Sequence, residues 1–105
     1  MGASMRGLHP HLRPYVEALL EVARTNGLAP RVTSTRRTRR EQEALYARWL
    51  AGRNPYPVAR PGTSDHELGW AVDIVSSDNP WLGSVWKAWG GRWSPSDAVH
   101  FAGPR

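Results

Sequence analysis

The chain has 105 residues, of which 40% are hydrophobic, and it carries a formal net charge of +5 and no cysteine. This length and hydrophobic content predict one folded domain, and no apolar run is long enough to span a bilayer. Without cysteine, disulfides and thiolate ligands are excluded, so a metal site would have to use histidine and carboxylate side chains. The first seven residues lack the apolar segment of a signal peptide, and we expect residues 1–7 to be disordered or a cloning remnant.

Three segments with regular patterns fill the first half of the chain. Apolar residues recur at helical spacing from about Pro10 to Asn26, and the following glycine is a typical helix stop. Residues 30–35 are rich in β-branched side chains after a turn, which predicts a strand. Thr38 and Glu41 then form the pattern of a capping box, which predicts a helix that runs to about Ala51.

The second half begins with a proline-rich loop at residues 53–63, whose length in a small domain is typical of a functional rim. A strand is predicted over residues 69–75, and a third helix is predicted to start with Asn79 as its N-cap and Pro80 as its first residue. Residues 98–102 predict a short closing strand. Together these elements predict a single small α+β domain over residues 1–105, with an antiparallel sheet and flanking helices.

Two polar side chains lie within predicted strands that are otherwise apolar. Asp73 stands between Val72 and Ile74, and His100 stands in Ala-Val-His-Phe-Ala. A buried carboxylate is costly unless a positive charge meets it. One cation bound by His66, Asp73 and His100 would satisfy both strands, and three ligands plus an open position are typical of catalytic zinc. The alternative from spacing alone is that Asp73 caps a turn and His100 is a hydrogen-bonded core histidine.

Other residues could act beside such a site. Asp97, three residues before His100, could take a proton from water and pass it to a leaving amine, or it could be an exposed loop carboxylate. Four arginines crowd the start of the second helix, where positive charge is unfavourable, so at least one could bind an oxyanion, a substrate carboxylate or nucleic acid. Trp93 is the best candidate among the tryptophans for the wall of a cleft.

Taken together, these residues resemble the VanY-like family of zinc D-Ala-D-Ala carboxypeptidases and L-alanyl-D-glutamate endopeptidases, which shares its fold with the hedgehog signalling domain. Three blocks carry the resemblance, in the family's order. They are Thr-Ser-Thr-Arg-Arg-Thr-x3-Gln (residues 33–42), Gly-Thr-Ser-Asp-His-Glu-Leu-Gly-Trp-Ala-Val-Asp-Ile (residues 62–74) and Asp-Ala-Val-His-Phe (residues 97–101).

The resemblance implies one Zn²⁺ per chain and assigns a role to each site residue. His66, Asp73 and His100 are implied as zinc ligands, Asp97 as the catalytic base and Arg37 as the residue that stabilises the developing oxyanion. Substrate contacts are implied or expected from Ser64, Gln42, Arg36 and Trp93. Because Thr35-Arg36 replaces the family's usual Gly-Tyr, the oxyanion role could fall to Arg36 instead of Arg37.

The resemblance also implies an enzyme that cleaves peptidoglycan stem peptides. Asp97 stands where the carboxypeptidases commonly have glutamate, which favours the L-Ala-D-Glu endopeptidase of a phage or prophage lysin; a D-Ala-D-Ala carboxypeptidase is the alternative. A non-catalytic, zinc-containing wall-binding domain remains open, and an arginine-rich nucleic-acid binder is the least favoured reading. We expect a monomer with no membrane span that is made in the cytoplasm and acts on the wall after release, or that is virion-associated.

Overall fold

The computed structural model describes residues 4–55 and 57–105. Residues 1–3, part of the segment predicted to be disordered, lie outside the described residues. In the rest of that segment, Met5–Gly7 form a short 3-10 helix. The hydroxyl of Thr35 donates to the carbonyl of Ser4 at 2.8 Å, and Met5 packs against the core. The N-terminal turn is therefore bound to the domain.

The predicted α+β class is confirmed, and the described residues form three α-helices, three short 3-10 helices and one three-stranded antiparallel sheet. The helices are α1 (Arg13–Thr25), α2 (Arg39–Leu50) and α3 (Asn79–Ala88), and the strands are β1 (Arg31–Ser34), β2 (Ala71–Val75) and β3 (His100–Ala102). The strands lie in the order β1-β2-β3, so β2 is central. The register between β1 and β2 shifts between Val32 and Ser34, as at a β-bulge.

The core lies between the sheet, α1 and α3. Helix α1 buries the apolar stripe predicted from its sequence, and Pro14 sits in its first turn, where the missing N–H costs nothing. The helix ends at the predicted place, with Gly27 at a φ of +70°. The buried side chains come mostly from α1, β2 and α3: Val16, Leu19, Leu20, Ala23, Val72, Ile74, Leu82, Trp86 and Phe101. In the described ranges, no helix has the length and apolar character needed to cross a membrane.

The capping box predicted for α2 is present. The hydroxyl of Thr38 accepts from the Glu41 N–H at 3.1 Å, and the Glu41 carboxylate accepts from the Thr38 N–H at 3.0 Å. Hydrogen bonding to the backbone and then to the side chain of Thr38 lowers the pKa of Glu41 below its usual value. The stabilisation from Glu41 is therefore fully present above the usual glutamate pKa and is lost as pH falls through the lowered one.

Thr38→Ala is expected to destabilise the protein by about 0.5–2 kcal/mol, because it leaves a helix N–H without its acceptor. Urea unfolding at neutral pH would measure the change. Ser84→Ala serves as the control, since the Ser84 hydroxyl bonds the Trp81 carbonyl within α3 and caps no helix. Equal stability of Thr38→Ala and the wild type would contradict the assignment.

The start of α3 differs from the prediction. Asp78 is the N-cap, and its carboxylate accepts from the Trp81 N–H at 3.1 Å. Asn79 is thus the first helical residue and Pro80 the second, both compatible with a first turn. The side chain of Asn79, which was predicted to cap the helix, does not do so and is buried.

Candidate metal centre

A short 3-10 turn, Asp65–Leu68, carries His66 into the domain interior. The Ser64 hydroxyl caps this turn and accepts from the His66 N–H at 3.2 Å. Gly69 ends it with a φ of +68°, and a Cβ there would lie 2.5 Å from the carbonyl oxygen of Gly7. Glycine is therefore required both by the backbone angle and by the close approach of the N-terminal segment.

The sheet supplies the other two predicted ligands from neighbouring strands. Asp73 on β2 and His100 on β3 are direct register partners, which places their side chains on one face. The Oδ1 atom of Asp73 lies 3.1 Å from Nε2 of His66 and 3.4 Å from Nδ1 of His100. The three ligand atoms all lie within 4.8 Å of one another. The structure thus brings together the His66, Asp73 and His100 set that the sequence predicted.

The hydrogen bonding of His66 supports a cation at this point. Its Nδ1 lies 2.6 Å from the carbonyl oxygen of Thr35, and because a carbonyl only accepts, Nδ1 must carry the proton. In the neutral ring, Nε2 then turns a lone pair towards the Asp73 carboxylate. Two electron-pair donors face each other at this contact, and a bound cation satisfies both. A backbone carbonyl that fixes the tautomer of a ligand histidine is a recurrent feature of metal sites.

Asp73 is held in its charged form. Burial opposes ionisation, but hydrogen bonds from His100 and from His66 in its protonated form, together with the positive charges of that protonated ring and of Arg37, lower the pKa of Asp73 well below its usual value. The Arg37 guanidinium donates to Oδ2 of Asp73 at 3.0 Å. The carboxylate therefore presents Oδ1 to the histidines while Arg37 holds Oδ2.

Arg37 is itself held by its neighbours. Its Nη1 donates to the side-chain oxygen of Gln42 at 3.4 Å, and its backbone N–H donates to the His66 carbonyl at 2.9 Å. Gln42 is 1% exposed, and its amide donates to the Ala59 carbonyl at 2.8 Å. Gln42 was predicted to contact substrate; in the structure it is buried, links Arg37 to the loop that rims the site, and is among the residues that line the cleft above it.

A cleft of about 630 Å³ opens over these residues. Asp97, the last residue of a 3-10 turn at Pro95–Asp97, lies in its wall and is exposed. Ser64 also lines the cleft beside His66. The predicted base, the predicted ligands and Ser64 therefore share one cavity.

Two predicted substrate contacts lie elsewhere. Trp93 packs against the core, its indole N–H donates to the Ala98 carbonyl at 2.9 Å, and it is not among the described residues that line the cleft. Its ring instead covers Gly83 on α3, where a Cβ would lie 2.2 Å from the indole. The exposed side chain of Arg36 is likewise absent from the described lining of the cleft, because its neighbour Arg37 is the one turned inward.

Three residues at the site were missed by the sequence analysis. Thr35 acts through its carbonyl, a group that every residue has, so no side-chain signal marks it. Asp65 and Arg92 form an ion pair at 2.9 Å in the cleft wall, and Arg92 also donates to the Gly103 carbonyl at 2.7 Å. The carboxylate beside His66 was a usable signal for this pair, but its partner lies 27 positions away in sequence.

The fold and the two-histidine, one-aspartate set define a small α+β domain with a candidate metal site beside its sheet. A family model described as VanY, D-alanyl-D-alanine carboxypeptidase, matches residues 5–93. The chain belongs to the VanY family. The matched segment includes His66 and Asp73, whereas Asp97 and His100 follow it and share the cleft with them.

Individual relatives agree with the family. A D-alanyl-D-alanine carboxypeptidase of Enterococcus faecalis (strain ATCC 700802 / V583) is 34% identical over 76 residues, covering 60% of this chain and 28% of the relative. The chain thus spans little more than a quarter of that curated relative.

Solved structures share the fold. VanYB in complex with D-alanine-D-alanine has a TM-score of 0.74 at 26% identity and covers 93% of this chain and 72% of its own. A mutant of the vancomycin resistance D,D-pentapeptidase VanY from the VanB-type cassette, in complex with Zn(II), has the same TM-score and identity and covers 91% and 72%. The LdcB LD-carboxypeptidase has a TM-score of 0.71 at 19% identity, covers 91% and 58%, and supports the fold alone.

Proposed function

We propose that this chain is a zinc-dependent peptidase that removes the terminal D-alanine from peptidoglycan stem peptides ending in D-Ala-D-Ala. The observation that carries the proposal is the convergence of His66, Asp73 and His100 within 4.8 Å in a cleft that Asp97 also lines. The family match and the relative bound to D-alanine-D-alanine support this substrate. They favour the carboxypeptidase over the endopeptidase activity expected from the sequence.

The donor set fits zinc. Two imidazoles and one carboxylate are borderline and hard ligands, and three of them leave an open coordination position. The lone pair of His66 that faces the Asp73 carboxylate supports a cation here, and a VanY relative is described in complex with Zn(II). When bound, zinc would polarise the scissile carbonyl and lower the pKa of a coordinated water. We propose one ion per chain.

The chain's own residues would then move the protons and hold the substrate. Asp97 accepts a proton from the attacking water and returns it to the leaving amine. The guanidinium of Arg37 has five N–H donors, and one from each terminal nitrogen bonds Gln42 or Asp73. The remaining donors could bind the carbonyl oxygen of the scissile bond as negative charge develops on it. We propose that the hydroxyl of Ser64, which lines the cleft, contacts the substrate.

Arg37→Ala is expected to lower kcat by about 10²–10³-fold, the usual effect of removing one oxyanion donor. Arg36→Ala is the matched control, because it removes the same charge from the adjacent residue on the exposed side. Steady-state kinetics with a D-Ala-D-Ala pentapeptide would measure both. A larger loss in Arg36→Ala than in Arg37→Ala would reverse the assignment.

The L-Ala-D-Glu bond is the second candidate, and Asp97 is the residue that favours it. Its side chain is one methylene shorter than the glutamate common in carboxypeptidases of the resembled family, and aspartate at this place resembles the phage-lysin branch. On this reading the protein would be a phage or prophage endolysin.

Cleavage products distinguish the two bonds. The zinc-loaded protein is incubated with purified sacculi and with a soluble pentapeptide, and new termini are identified by mass spectrometry. Loss of one alanine from the carboxyl end supports the carboxypeptidase, whereas a new amino-terminal D-glutamate supports the endopeptidase. No cleavage of either substrate, with one zinc bound per chain, would overturn the enzymatic proposal and favour the wall-binding alternative.

Partners and place of action follow from the substrate. We propose that the chain acts as a monomer on the cell wall, after release from the cytoplasm or as part of a virion, and that nucleic acid is not its ligand. Binding to peptidoglycan that is abolished by a chelator, together with no salt-dependent affinity for DNA, would agree with this proposal.

A further inference from the structure

Asn79, on the first turn of α3, makes a buried set of hydrogen bonds that capping does not explain. It is 8% exposed. Its amide nitrogen donates to the carbonyl of Ile74 at 2.8 Å and to the carbonyl of Ala98 at 2.8 Å, and its oxygen accepts from the hydroxyl of Ser76. Both amide protons and the amide oxygen are therefore used. A buried amide that is fully satisfied fixes the groups it joins.

The two carbonyls that Asn79 joins are next to the site residues. Ile74 directly follows Asp73, and Ala98 directly follows Asp97. One amide group thus ties the backbone beside a predicted metal ligand to the backbone beside the predicted base. The link spans two segments 24 positions apart, measured from Ile74 to Ala98.

The same Ala98 carbonyl has a second donor, the indole N–H of Trp93, at 2.9 Å. Gly83, one turn after Asn79 on α3, allows the indole to lie against the helix, because a Cβ there would come within 2.2 Å of the ring. Two side chains supported by α3 therefore converge on one carbonyl oxygen. Both of its lone pairs are used.

This support falls on a segment that has little else to hold it. Residues 94–97 and 99 are exposed, and the turn that carries Asp97 is a three-residue 3-10 helix. After the turn, the Val99 carbonyl accepts from the Ile74 N–H at 2.9 Å, and β3 begins at His100. Without the bonds to Ala98, the first bond from this segment to another strand, among the described residues, would be the one at Val99, two residues after Asp97.

We propose that Asn79 and Trp93 are positioning residues that hold Asp97 in its place in the cleft by fixing the carbonyl of Ala98. The inference rests on the proposed function, since it gives these residues a role in the reaction through Asp97. It also gives Trp93 a function different from the substrate contact predicted from the sequence. Neither residue touches the substrate in this account.

The test uses two variants of the zinc-loaded protein, Asn79→Ala and Trp93→Phe, the second of which keeps an aromatic ring against α3 and removes the indole N–H along with part of the bicycle. A displacement of the base by about 1 Å can cost on the order of 100-fold in rate. We expect kcat to fall by about that factor in Asn79→Ala and by less in Trp93→Phe, with KM little changed. Zinc content should stay at one per chain, and the absorption spectrum of the cobalt-substituted protein should match the wild type.

The controls remove equivalent bonds elsewhere. Asn26→Ala deletes an amide bond to the Val22 carbonyl at 2.8 Å on α1, and Trp70→Phe deletes an indole bond to the Pro104 carbonyl at 2.8 Å. Both should keep the wild-type kcat. Amide hydrogen exchange gives a readout without turnover: Asn79→Ala should speed exchange at Asp97, whose N–H donates to the Ser94 carbonyl, and leave α1 unchanged.

The outcomes are separable. Wild-type kcat in both variants would overturn the inference and leave the proposed function intact. Loss of zinc together with activity in both variants would also overturn it, because the residues would then support the whole metal centre. If the wild type itself fails to cleave, the proposed function fails, and unchanged exchange at Asp97 in Asn79→Ala would still refute the positioning role.

Discussion

Asp97→Ala is expected to lower kcat by about 10²–10⁴-fold, the range usually lost with a general acid–base group, while one zinc ion per chain stays bound. The reason is that Asp97 lines the cleft but is not one of the three side chains whose ligand atoms converge. Turnover of a D-Ala-D-Ala pentapeptide and metal analysis of the same preparation would measure the two effects together. A selective loss of turnover would identify an enzyme, because a wall-binding domain would keep its affinity in this variant.

The isosteric change Asp97→Asn tests the proton transfer itself, since it retains the shape and removes the base. Glu21→Gln is the control, because it removes a carboxylate from the exposed face of α1, where its ion pair with Arg24 contributes little. Activity near the wild-type level in Asp97→Asn would exclude Asp97 as the base. Partial activity in Asp97→Glu would show that the longer carboxylate of the carboxypeptidases can act from this turn.

Asp73→Asn is expected to abolish both zinc binding and activity. Removing a group that merely supports a metal ligand typically costs about 10–100-fold in affinity, so removal of the charged ligand should cost more. The change also leaves Arg37 and the two histidines without the carboxylate they share. Isothermal titration with zinc and metal analysis of the purified variant would measure the loss.

Chelation of the wild type provides the reversible counterpart. Activity should disappear on treatment with a chelator and return on addition of zinc, whereas Asp73→Asn should not respond to added zinc. The matched control is Asp78→Asn, which changes the same side chain at a helix cap where asparagine is also accepted. Full activity of the chelated wild type would refute the metal-dependent mechanism.

The candidate metal ligands could be predicted because polar side chains stand in otherwise apolar strands. Asp73 and His100 are polar residues in strands whose other residues are apolar and predicted to be buried. Each therefore needs a polar or charged partner, and their neighbours in sequence do not provide one. The structure satisfies both demands by placing them opposite each other in the β2–β3 register. The helices and strands could be predicted for a different reason: the apolar periodicity and the capping residues that define them are patterns within short stretches of sequence.

The choice between Arg36 and Arg37 could not be predicted. Successive residues of an extended segment point in opposite directions, so one of the two must face the site. Which one does so depends on the register of β1 against β2, and that register shifts at a bulge between Val32 and Ser34. Only the paired strands reveal the shift.

The positions of Trp93 and Asn79 also could not be predicted from sequence, because they depend on contacts with residues distant in the chain. From the sequence, an aromatic residue near a predicted site is a reasonable candidate for the wall of the cleft. In the structure, Trp93 packs instead on Gly83 of α3, which is distant in sequence and has no side chain in the way. Asp78 and Asn79 are both good helix caps, and proline suits either of the first two helical positions. The choice between them follows from the buried carbonyls that Asn79 reaches, which are set by the tertiary fold.

The position of His100 on an edge strand has a consequence for how long the proposed site would hold a zinc ion. His66 and Asp73 lie seven residues apart on a turn and on the central strand, whereas His100 begins the three-residue strand β3. Short edge strands open locally more readily than central ones. Opening of β3 would move His100 away from His66 and Asp73, so we expect zinc added to the protein to dissociate at a rate that follows the local opening of this strand, well ahead of global unfolding.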